Sequence, residues 1–469
     1  MPDSDPPPTG GPTPDGGRLA ARLAEYRERG VRRAKLGLTD LDGVVRGKYV
    51  SLDKLESLMR KGGGFCDCVL GWDVDDQLYD AGTFTGWHTG FPDAAFRLLA
   101  DSERWLADEN CPYFIGEFVG ADGADHPLCP RRRLAGVLDR LAGAGLHLRA
   151  GFEYEFFVFD ETPHSIRDKG YRGLRPVTPG NFGYSVLRAS TGAELFHGLM
   201  DLCEDLGCPL EGLHCETGPG VWEAALHATD GMAAADQAAL FKTFSKVYFQ
   251  RRGLLATFMA KWSMAYPGQS GHFHFSLLGD DGVNRFHDPA AAHGMSDRQR
   301  WAVGGLVRHL PELLALLAPT INSYTRLVPG AWAPTGATWG IENRTAAIRV
   351  IPGDAGRQHV ECRVPGADSN PYLVAAAVAA AAQAGIEAEL DPGEPVTGNA
   401  YDIEASLAPA LRFPRSLEAA AAALEGSALA RSAFGDAFVD HFVMSRRFEC
   451  AEYGRHVNGW QLERYFEII

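Results

Sequence analysis

The stretch GFEYEFFVFD, Gly151 to Asp160, constrains the fold most, because its charges and aromatic rings alternate. In a β-strand, residues two apart point to the same face of the sheet. Glu153 and Glu155 therefore share one face, opposite the aromatic residues. An edge strand with two solvated glutamates would show the same alternation. However, an aromatic-rich strand that follows a glycine turn favours a central position, where two carboxylates on one face require a cation.

Two further stretches carry candidate ligands. EGLHCETGPGVWEAALH is weak evidence alone, because Gly218-Pro219-Gly220 interrupts any single period between its acidic residues, Glu211, Glu216 and Glu223. In GQSGHFHFSL, alternation places three polar side chains on one face, opposite two phenylalanines: His272, His274 and Ser276. A lone strand histidine is more often a hydrogen-bonded core residue, but two on one face leave a metal or phosphate role open.

Basic residues dominate the later stretches. RQHVECRV places three side chains on one face, which could equally be a solvated face or a ladder of ion pairs: His359, Glu361 and Arg363. The stretch NSYTRLVPGAWAPTGATWGIENRTAAIRV contributes three arginines: Arg326, Arg344 and Arg349. Surface arginine is the default interpretation. Arginines gathered among strands and glycine loops of an acidic protein also suit a carboxylate or phosphate, which the guanidinium binds with two parallel hydrogen bonds.

The segment RLVPGAWAP, Arg326 to Pro334, is predicted to be a loop because it contains two prolines and a glycine. Loops usually lie on the surface and often carry function. Trp332 is therefore either an anchor packed into the body of the protein or the wall of a site.

Together, these stretches indicate phosphoryl transfer. Carboxylates with an imidazole favour Mg²⁺ or Mn²⁺ over zinc or copper. Two such ions with arginines supply the charge neutralisation and clamping that phosphoryl transfer needs. No Walker A motif is present, since the segment from Gly43 to Tyr49 has the wrong spacing and no serine or threonine after Lys48.

Composition narrows the class of protein. The formal net charge of −15 argues against a nucleic-acid binder. Nine scattered cysteines without a CxxC pair indicate reduced thiols. The start of the chain lacks a signal peptide, and the longest apolar run, Leu373 to Ala382, is too short to span a membrane. We therefore expect a cytoplasmic protein with no membrane association.

The chain divides into a tail and two domains. Residues 1–17 read as a disordered tail, 18–125 as a small α+β domain that includes a β-hairpin with an Asp42-Gly43 turn, and 126–469 as one larger α+β domain. Helices are predicted at 18–29, at 52–61, from Pro130, and at 193–206, 232–252, 298–317, 371–389 and 417–424.

The order and spacing of the motifs resemble the glutamine synthetase superfamily, type I, from about residue 30 to the C-terminus. The resemblance rests on GFEYEFF, HCETGPGVWE, SGHFHFS, NSYTRLVPG, ENRTAAIR and VECRVPGADSNPYL. It implies an α+β fold with an N-terminal β-grasp domain and a large C-terminal α/β catalytic domain built on a curved antiparallel sheet. It also implies a homo-oligomer, a dodecamer of two stacked hexamers with each active site at a subunit boundary.

The resemblance further implies ATP as a substrate and two or three Mg²⁺ or Mn²⁺ ions. One metal site would comprise Glu155, Glu216 and Glu223, and the other Glu153, His272 and Glu361. Positions that contact ATP match Glu211, His274, Ser276, Arg344 and His359. Positions that bind the substrates match Arg326, Arg363, Trp332, Tyr184 and Gly271. Catalytic positions match Arg344 and Arg349, with Asp67 and Asp73 as candidates to meet the amine in a neighbouring subunit. ATP would phosphorylate the γ-carboxylate of glutamate, and an amine would displace the phosphate.

The chain also departs from the family pattern. Trp332 stands where glutamine synthetases carry a glutamate that binds ammonium, and His359 stands where the family usually has an arginine. An aromatic wall suits an alkylated amine through apolar and cation–π contact. The sequence therefore resembles the γ-glutamyl amine ligases, whose amines include polyamines, ethanolamine and methylamine. The alternatives are a glutamine synthetase that uses ammonia and a non-catalytic homologue. Tyr401 falls near an adenylylated tyrosine of some bacterial relatives, but its surroundings differ and no modification is predicted.

Overall fold

The computed structural model describes residues 16–469 except 81, 83, 121 and 122, so most of the predicted tail lies outside the described residues. The strands are β1 Arg33–Thr39, β2 Val45–Ser51, β3 Gly63–Cys66, β4 Asp93–Leu98, β5 Arg104–Leu106, β6 Cys111–Phe118, β7 Leu146–Phe159, β8 Leu210–Cys215, β9 Val221–Leu226, β10 Thr229–Asp230, β11 Leu255–Thr257, β12 Gly271–Gly279, β13 Trp339–Ile341, β14 Ile348–Ile351 and β15 His359–Cys362. The helices are α1 Gly16–Glu28, α2 Leu52–Lys61, α3 Pro130–Gly143, α4 Pro163–Asp168, α5 Val186–Thr191, α6 Ala193–Asp205, α7 Gly231–Arg251, α8 Asp297–Leu317, α9 Ser323–Arg326, α10 Pro371–Glu387, α11 Leu417–Glu425, α12 Ala428–Phe434, α13 Asp436–Gly454 and α14 Gly459–Tyr465.

The first sheet has the strand order β2-β1-β6-β4-β3, with β5 beside β6. Its β1–β2 hairpin is antiparallel and confirms the predicted turn. The Asp40 carboxylate accepts the backbone N–H groups of Asp42 and Val44, and Gly43 takes the left-handed φ of 81° that this tight turn requires. The hairpin also meets the larger part of the chain, because the Asn370 side-chain amide donates to the carbonyls of residues 40 and 41.

The second sheet has the order β13-β14-β15-β12-β7-β9-β8, with β10 and β11 also pairing with β7. All of its pairings are antiparallel except that between β13 and β14. β7 lies in the middle, between β12 and β9. Phe152, Tyr154 and Phe156 are fully buried on one of its faces. The predictions of a central strand and of an α+β fold with a mainly antiparallel catalytic sheet are therefore confirmed.

Helices cover the aromatic face of this sheet. α7 and α3 pack on β7, and α10 packs against α8, α3 and α7. The α8–α10 pair depends on glycine, since a Cβ added at Gly305 would lie 2.1 Å from the Ala381 carbonyl oxygen. The longest apolar run, Leu373 to Ala382, lies in the predicted helix at 371–389 and is buried within α10. Within the described part of the chain, no helix is long and apolar enough to cross a membrane.

Each predicted helix is present to within three residues at its ends. The first begins at Gly16, two residues earlier than predicted. The short helices α4, α5 and α9 and the three helices from α12 to α14 were not predicted. The chain after residue 427 is therefore largely helical.

Candidate functional site

The polar face of the second sheet carries three rows of side chains in register. Along β7, the rows start from Gly151, Glu153 and Glu155, which point to one face because they are two residues apart. Each row continues across the sheet through the residues that lie opposite these positions on the neighbouring strands. The sheet thus gathers side chains from distant parts of the sequence.

The first row crosses three strands on one side of β7. Arg349 of β14 lies opposite Glu361 of β15, and Glu361 lies opposite His274 of β12. In the second row, His272 of β12 lies opposite Glu153 of β7. Residues far apart in the sequence therefore meet on adjacent strands, as His272 and Glu153 do across a separation of 119 residues.

The third row runs to the other side of β7. Glu155 lies opposite Glu223 of β9, which lies opposite His214 of β8. Glu216 follows β8 directly, and its backbone N–H donates to the Val221 carbonyl. This bond holds Glu216 beside the row although it lies beyond the strand.

A cleft of about 290 Å³ opens above the rows. Most of the predicted site residues line it: Glu153, Glu155, Glu216, Glu223, His272, His274, Glu361, Arg344, Arg349, Arg363, Tyr184 and Trp332. The remaining described lining residues are Thr217, Val221, Pro267, Gly268, Ser270 and Ala331.

One cluster of ligand atoms surrounds Glu153 and Glu361. His272 Nδ1 lies 3.0 Å from Glu153 Oε1 and 3.3 Å from Glu361 Oε1. Ligand atoms of Glu153, His274 and Glu361 lie within 4.8 Å of one another. Burial opposes ionisation of Glu153, but the His272 hydrogen bond and the charge of His274 hold its pKa at about 2. His272 Nε2 and His274 Nε2 are buried and have no hydrogen-bond partner among the described residues.

A second cluster surrounds Glu223. His214 Nε2 lies 3.3 Å from Glu216 Oε2 and 3.3 Å from Glu223 Oε1. Burial and the neighbouring carboxylates of Glu153, Glu155 and Glu216 raise the pKa of Glu223 to about 10. The Glu155 carboxylate accepts the Ser270 backbone N–H at 2.6 Å, so it lies beside this cluster while bonded to the loop before β12.

These donors fit a hard divalent cation. Carboxylate oxygens with an occasional imidazole are the ligands that Mg²⁺ and Mn²⁺ accept. A cation beside Glu223 would offset the burial and the neighbouring carboxylates that raise its pKa. In the first cluster, His272 Nε2 and His274 Nε2, which have no hydrogen-bond partner among the described residues, could ligate a cation. In addition to the predicted ligand sets, His274 lies near the ligand atoms of Glu153 and Glu361, and His214 lies near those of Glu216 and Glu223.

Arginines border the first cluster. Arg349 Nη1 donates to Glu361 Oε2 at 3.0 Å, and its other nitrogens bind Glu342. Arg363 donates to the other oxygen of Glu361. Arg344 is exposed at the edge of the cleft. The arginines therefore face the cleft while two of them are fixed by carboxylates.

Two aromatic side chains, Tyr184 and Trp332, also line the cleft. Tyr184 is 71% exposed and stacks on His214 at 4.3 Å between ring centroids. Trp332 is 60% exposed and lines the same cleft, so the interpretation of Trp332 as a wall is supported and that of a buried anchor is not. Both residues have left-handed backbones, with φ of 56° and 59°, a conformation that is uncommon for residues of this size and often marks a functional constraint.

Several predicted site residues lie away from this cleft. Arg326 is 1% exposed and donates to Ser270 and to the Val364 carbonyl. His359 does not line the cleft, and its Nε2 lies 3.2 Å from His274 Nδ1. Glu211 is exposed and pairs with His227. Ser276 is buried on β12, two residues beyond His274, and does not line the cleft.

The remaining predicted residues lie farther off. Asp67 is buried in a short helical turn, and Asp73 binds the backbone N–H groups of residues 75 and 77, so neither lines the cleft of its own chain. Gly271 lies within the sheet against Tyr154. The glycine that lines the cleft is instead Gly268, where a Cβ would lie 2.4 Å from Arg326 Cγ.

Sequence reasoning missed His214 and Gly268. His214 lies two residues before Glu216 in an extended segment, so their shared face was available as a signal. Gly268 offered none beyond its position in a glycine-rich loop.

Comparison with known proteins agrees with this site. A family model described as glutamine synthetase, catalytic domain, matches residues 127–465. The chain is 42% identical over 440 residues to type-1 glutamine synthetase 2 of Dictyostelium discoideum, covering 93% of this chain and 84% of the relative. It is 34% identical over 441 residues to a glutamate–isopropylamine ligase of a Pseudomonas species, covering 93% and 95%. A solved structure of GmaS in complex with ADP has a TM-score of 0.82 and 28% identity, covering 95% and 99%.

The polar sheet face, its acidic clusters and its bordering arginines are those of a glutamine synthetase-type ligase fold. The chain belongs to the glutamine synthetase family. Both the predicted family and the predicted fold are thereby confirmed.

Proposed function

We propose that the chain is an ATP-dependent ligase that joins L-glutamate to a small organic amine through γ-glutamyl phosphate. The observation that carries the choice of amine is that Trp332 lines the acidic cleft. By the resemblance to the family, this is the position where glutamine synthetases carry a glutamate. The glutamate–isopropylamine ligase is a relative whose name supports the same choice.

Two or three divalent cations would be held by the predicted sets, Glu153, His272 and Glu361 with Glu155, Glu216 and Glu223, and His274 and His214 are near enough to contribute. A bound cation would supply charge neutralisation for phosphate oxygens. Arg349 and Arg344 face the same cleft and would clamp the transferring phosphoryl group. Arg363 would orient a carboxylate of glutamate, since it points into the cleft beside Glu361.

The reaction balances in two steps. A γ-carboxylate oxygen of glutamate attacks the terminal phosphorus of ATP and ADP leaves. The amine nitrogen then attacks the acyl carbon, phosphate leaves, and the nitrogen loses a proton. The chain's contribution is to hold the reactants together and to stabilise negative charge.

The lining of the cleft favours a small monoamine. Apart from the carboxylates of the two clusters, the described lining residues are neutral or basic. A second ammonium group, as in a polyamine, would find no separate carboxylate among them. Trp332 and Tyr184 instead offer aromatic faces to an alkyl group or to one ammonium.

The test is a panel of amines with the full chain, Mg²⁺, ATP and glutamate, scored by phosphate release and by the mass of the product. The panel contains ammonium, methylamine, isopropylamine, ethanolamine and putrescine. We expect a small monoamine to give the highest kcat/KM. Ammonium equal to or above every organic amine would show that the chain is a glutamine synthetase, and no turnover with any amine would show a non-catalytic homologue.

The second candidate is a glutamine synthetase that uses ammonia. It is favoured by one observation, the 42% identity to a relative named glutamine synthetase. The same panel separates the two candidates. For either, we propose a cytoplasmic homo-oligomer of two stacked hexamers, supported by the resemblance to the family.

A further inference from the structure

The loop that carries Trp332 is held from behind by a tyrosine outside the cleft. The Tyr401 hydroxyl donates to the Ala333 carbonyl at 3.0 Å. Among the described residues, no other side chain outside residues 330–334 forms a hydrogen bond to them. Apart from the packing of the buried Ala333, this hydroxyl therefore provides the side-chain attachment of the loop tip to the body.

Tyr401 is itself fixed by the segment around it. Its backbone N–H donates to Asn399 Oδ1 at 3.2 Å, and the Ala400 N–H donates to Thr345 Oγ1 at 2.9 Å. Thr345 is next to Arg344 at the edge of the cleft. The tyrosine thus connects the two loops that border the cleft.

The far end of the Trp332 loop has a separate anchor. The Ala337 N–H donates to the Leu411 carbonyl at 2.7 Å, and the Phe413 N–H donates to the Thr335 carbonyl at 3.3 Å. These backbone bonds persist whatever residue occupies position 401. Removing the tyrosine hydroxyl should therefore loosen the tip of the loop while its base stays in place.

The surroundings of the phenol also connect it to the substrate side. Burial raises the pKa of Tyr401, while Arg363, Arg326 and the Trp332 backbone N–H act in the opposite direction. The hydroxyl is therefore bonded to the Trp332 loop and lies within the electrostatic influence of two arginines of the predicted glutamate site. It is half-buried and does not line the cleft.

We infer that Tyr401 is a positioning residue whose hydroxyl holds the Trp332 loop and thereby sets the affinity of the cleft for the amine. The effect on the amine rests on the proposed function. The effect on the loop rests on the hydrogen bond alone, so the two are tested separately.

The test replaces Tyr401 with phenylalanine, which removes the hydroxyl and keeps the ring. Loss of one neutral hydrogen bond predicts an increase in the KM for the amine of about three- to tenfold. The KM values for ATP and glutamate should stay within about twofold. The arginines predicted to bind glutamate are held by other bonds, since Arg326 donates to Ser270 and to the Val364 carbonyl and Arg363 donates to Glu361. Hydrogen exchange of a peptide spanning 327–336 should become faster, because the loop opens more often.

The matched control is Tyr49→Phe. Tyr49 is 54% exposed and its hydroxyl donates to Glu109 at 2.5 Å, so the change also removes one hydroxyl hydrogen bond far from the cleft. We expect no change in any KM or in exchange of the 327–336 peptide. A similar change in both variants would mean that the effect at Tyr401 is unspecific and would overturn the inference.

A double-mutant cycle identifies the route of the effect. Trp332→Ala should raise the KM for the amine, and Tyr401→Phe should add no further increase in that background, because both act through the indole. Fully additive effects, or equal increases in all three KM values, would overturn the inference. If no amine is a substrate, the proposed function fails, and unchanged exchange in Tyr401→Phe would still refute the loop contact independently.

Discussion

Replacement of Trp332 by glutamate tests the choice between an organic amine and ammonium most directly. The side chain is 60% exposed and lines the cleft, so the change adds a carboxylate without removing a core residue. An ammonium ion gains an acceptor, whereas an alkylamine loses its apolar wall. We therefore expect kcat/KM to fall for the alkylamine and to rise for ammonium.

The magnitude follows from the contacts that the indole can make. One buried methylene contributes ~0.8 kcal/mol and a cation–π contact ~0.5–2 kcal/mol. Their sum predicts a fall in kcat/KM for methylamine or isopropylamine of about 10- to 100-fold, since ~1.4 kcal/mol corresponds to a factor of ten. A charge-assisted hydrogen bond to the new carboxylate predicts a gain for ammonium of about tenfold.

The assay is phosphate release at saturating ATP and glutamate, with kcat/KM measured for each amine. Trp87→Glu is the matched control, because Trp87 is 71% exposed and is not among the cleft residues. If the ratio of kcat/KM for alkylamine to kcat/KM for ammonium is unchanged in Trp332→Glu, the reasoning is refuted and Trp332 does not select the amine. An equal shift in Trp87→Glu would attribute the change to net charge.

Three further predictions concern stability and the metal clusters. Burial lowers the pKa of His126 to about 4 from 6.5, so the folded state resists protonation and stability should fall by about 3 kcal/mol as the pH drops from 6.5 to 4. His126→Gln should lose less in urea denaturation over that range, and equal losses would contradict this. Gly305→Ala should destabilise by ~1–3 kcal/mol because its Cβ meets the Ala381 carbonyl oxygen, whereas Gly136→Ala, on an open helix face, should be neutral or stabilising in thermal unfolding. Glu361→Gln should weaken Mn²⁺ binding in calorimetry and lower kcat about 100-fold or more. The change removes the carboxylate that two arginines and a histidine share. Unaltered Mn²⁺ binding would exclude Glu361 as a ligand.

The parts of the fold that local periodicity determines could be predicted from the sequence. Alternation in GFEYEFFVFD set Glu153 and Glu155 on the face opposite the buried rings, and that pattern depends only on the geometry of one strand. Helix α2 could also be predicted from the sequence, because Ser51 caps its start and Gly62, with φ of 70°, follows its end. Helix α13, which was not predicted, also shows helical periodicity in its sequence, since its buried apolar residues recur four apart.

The pairing between strands could not be predicted in the same way. Which ligands meet depends on strand order and register, and the β8–β9 pair contains an irregularity between Leu210 and Gly212. That irregularity aligns His214 with Glu223 and lies next to the exposed Glu211. Similarly, the burial of Arg326 depends on a close approach by Gly268, which no pattern in one segment reveals. The chemistry of the site was thus predictable from residue types, and its exact membership was not.

The two halves of the proposed chemistry depend on supports of different stiffness. Glu361 is held by a register shared with β12 and β14 and by two arginines, so the acidic face can change only if several strands change together. Trp332 lies outside the sheet on a loop tip that one tyrosine hydroxyl holds. Substitutions in that loop can therefore alter the amine without disturbing the carboxylates that serve phosphoryl transfer. This separation explains physically how relatives with similar catalytic domains can carry names with different amines, because the amine is recognised by the part of the site that packing constrains least.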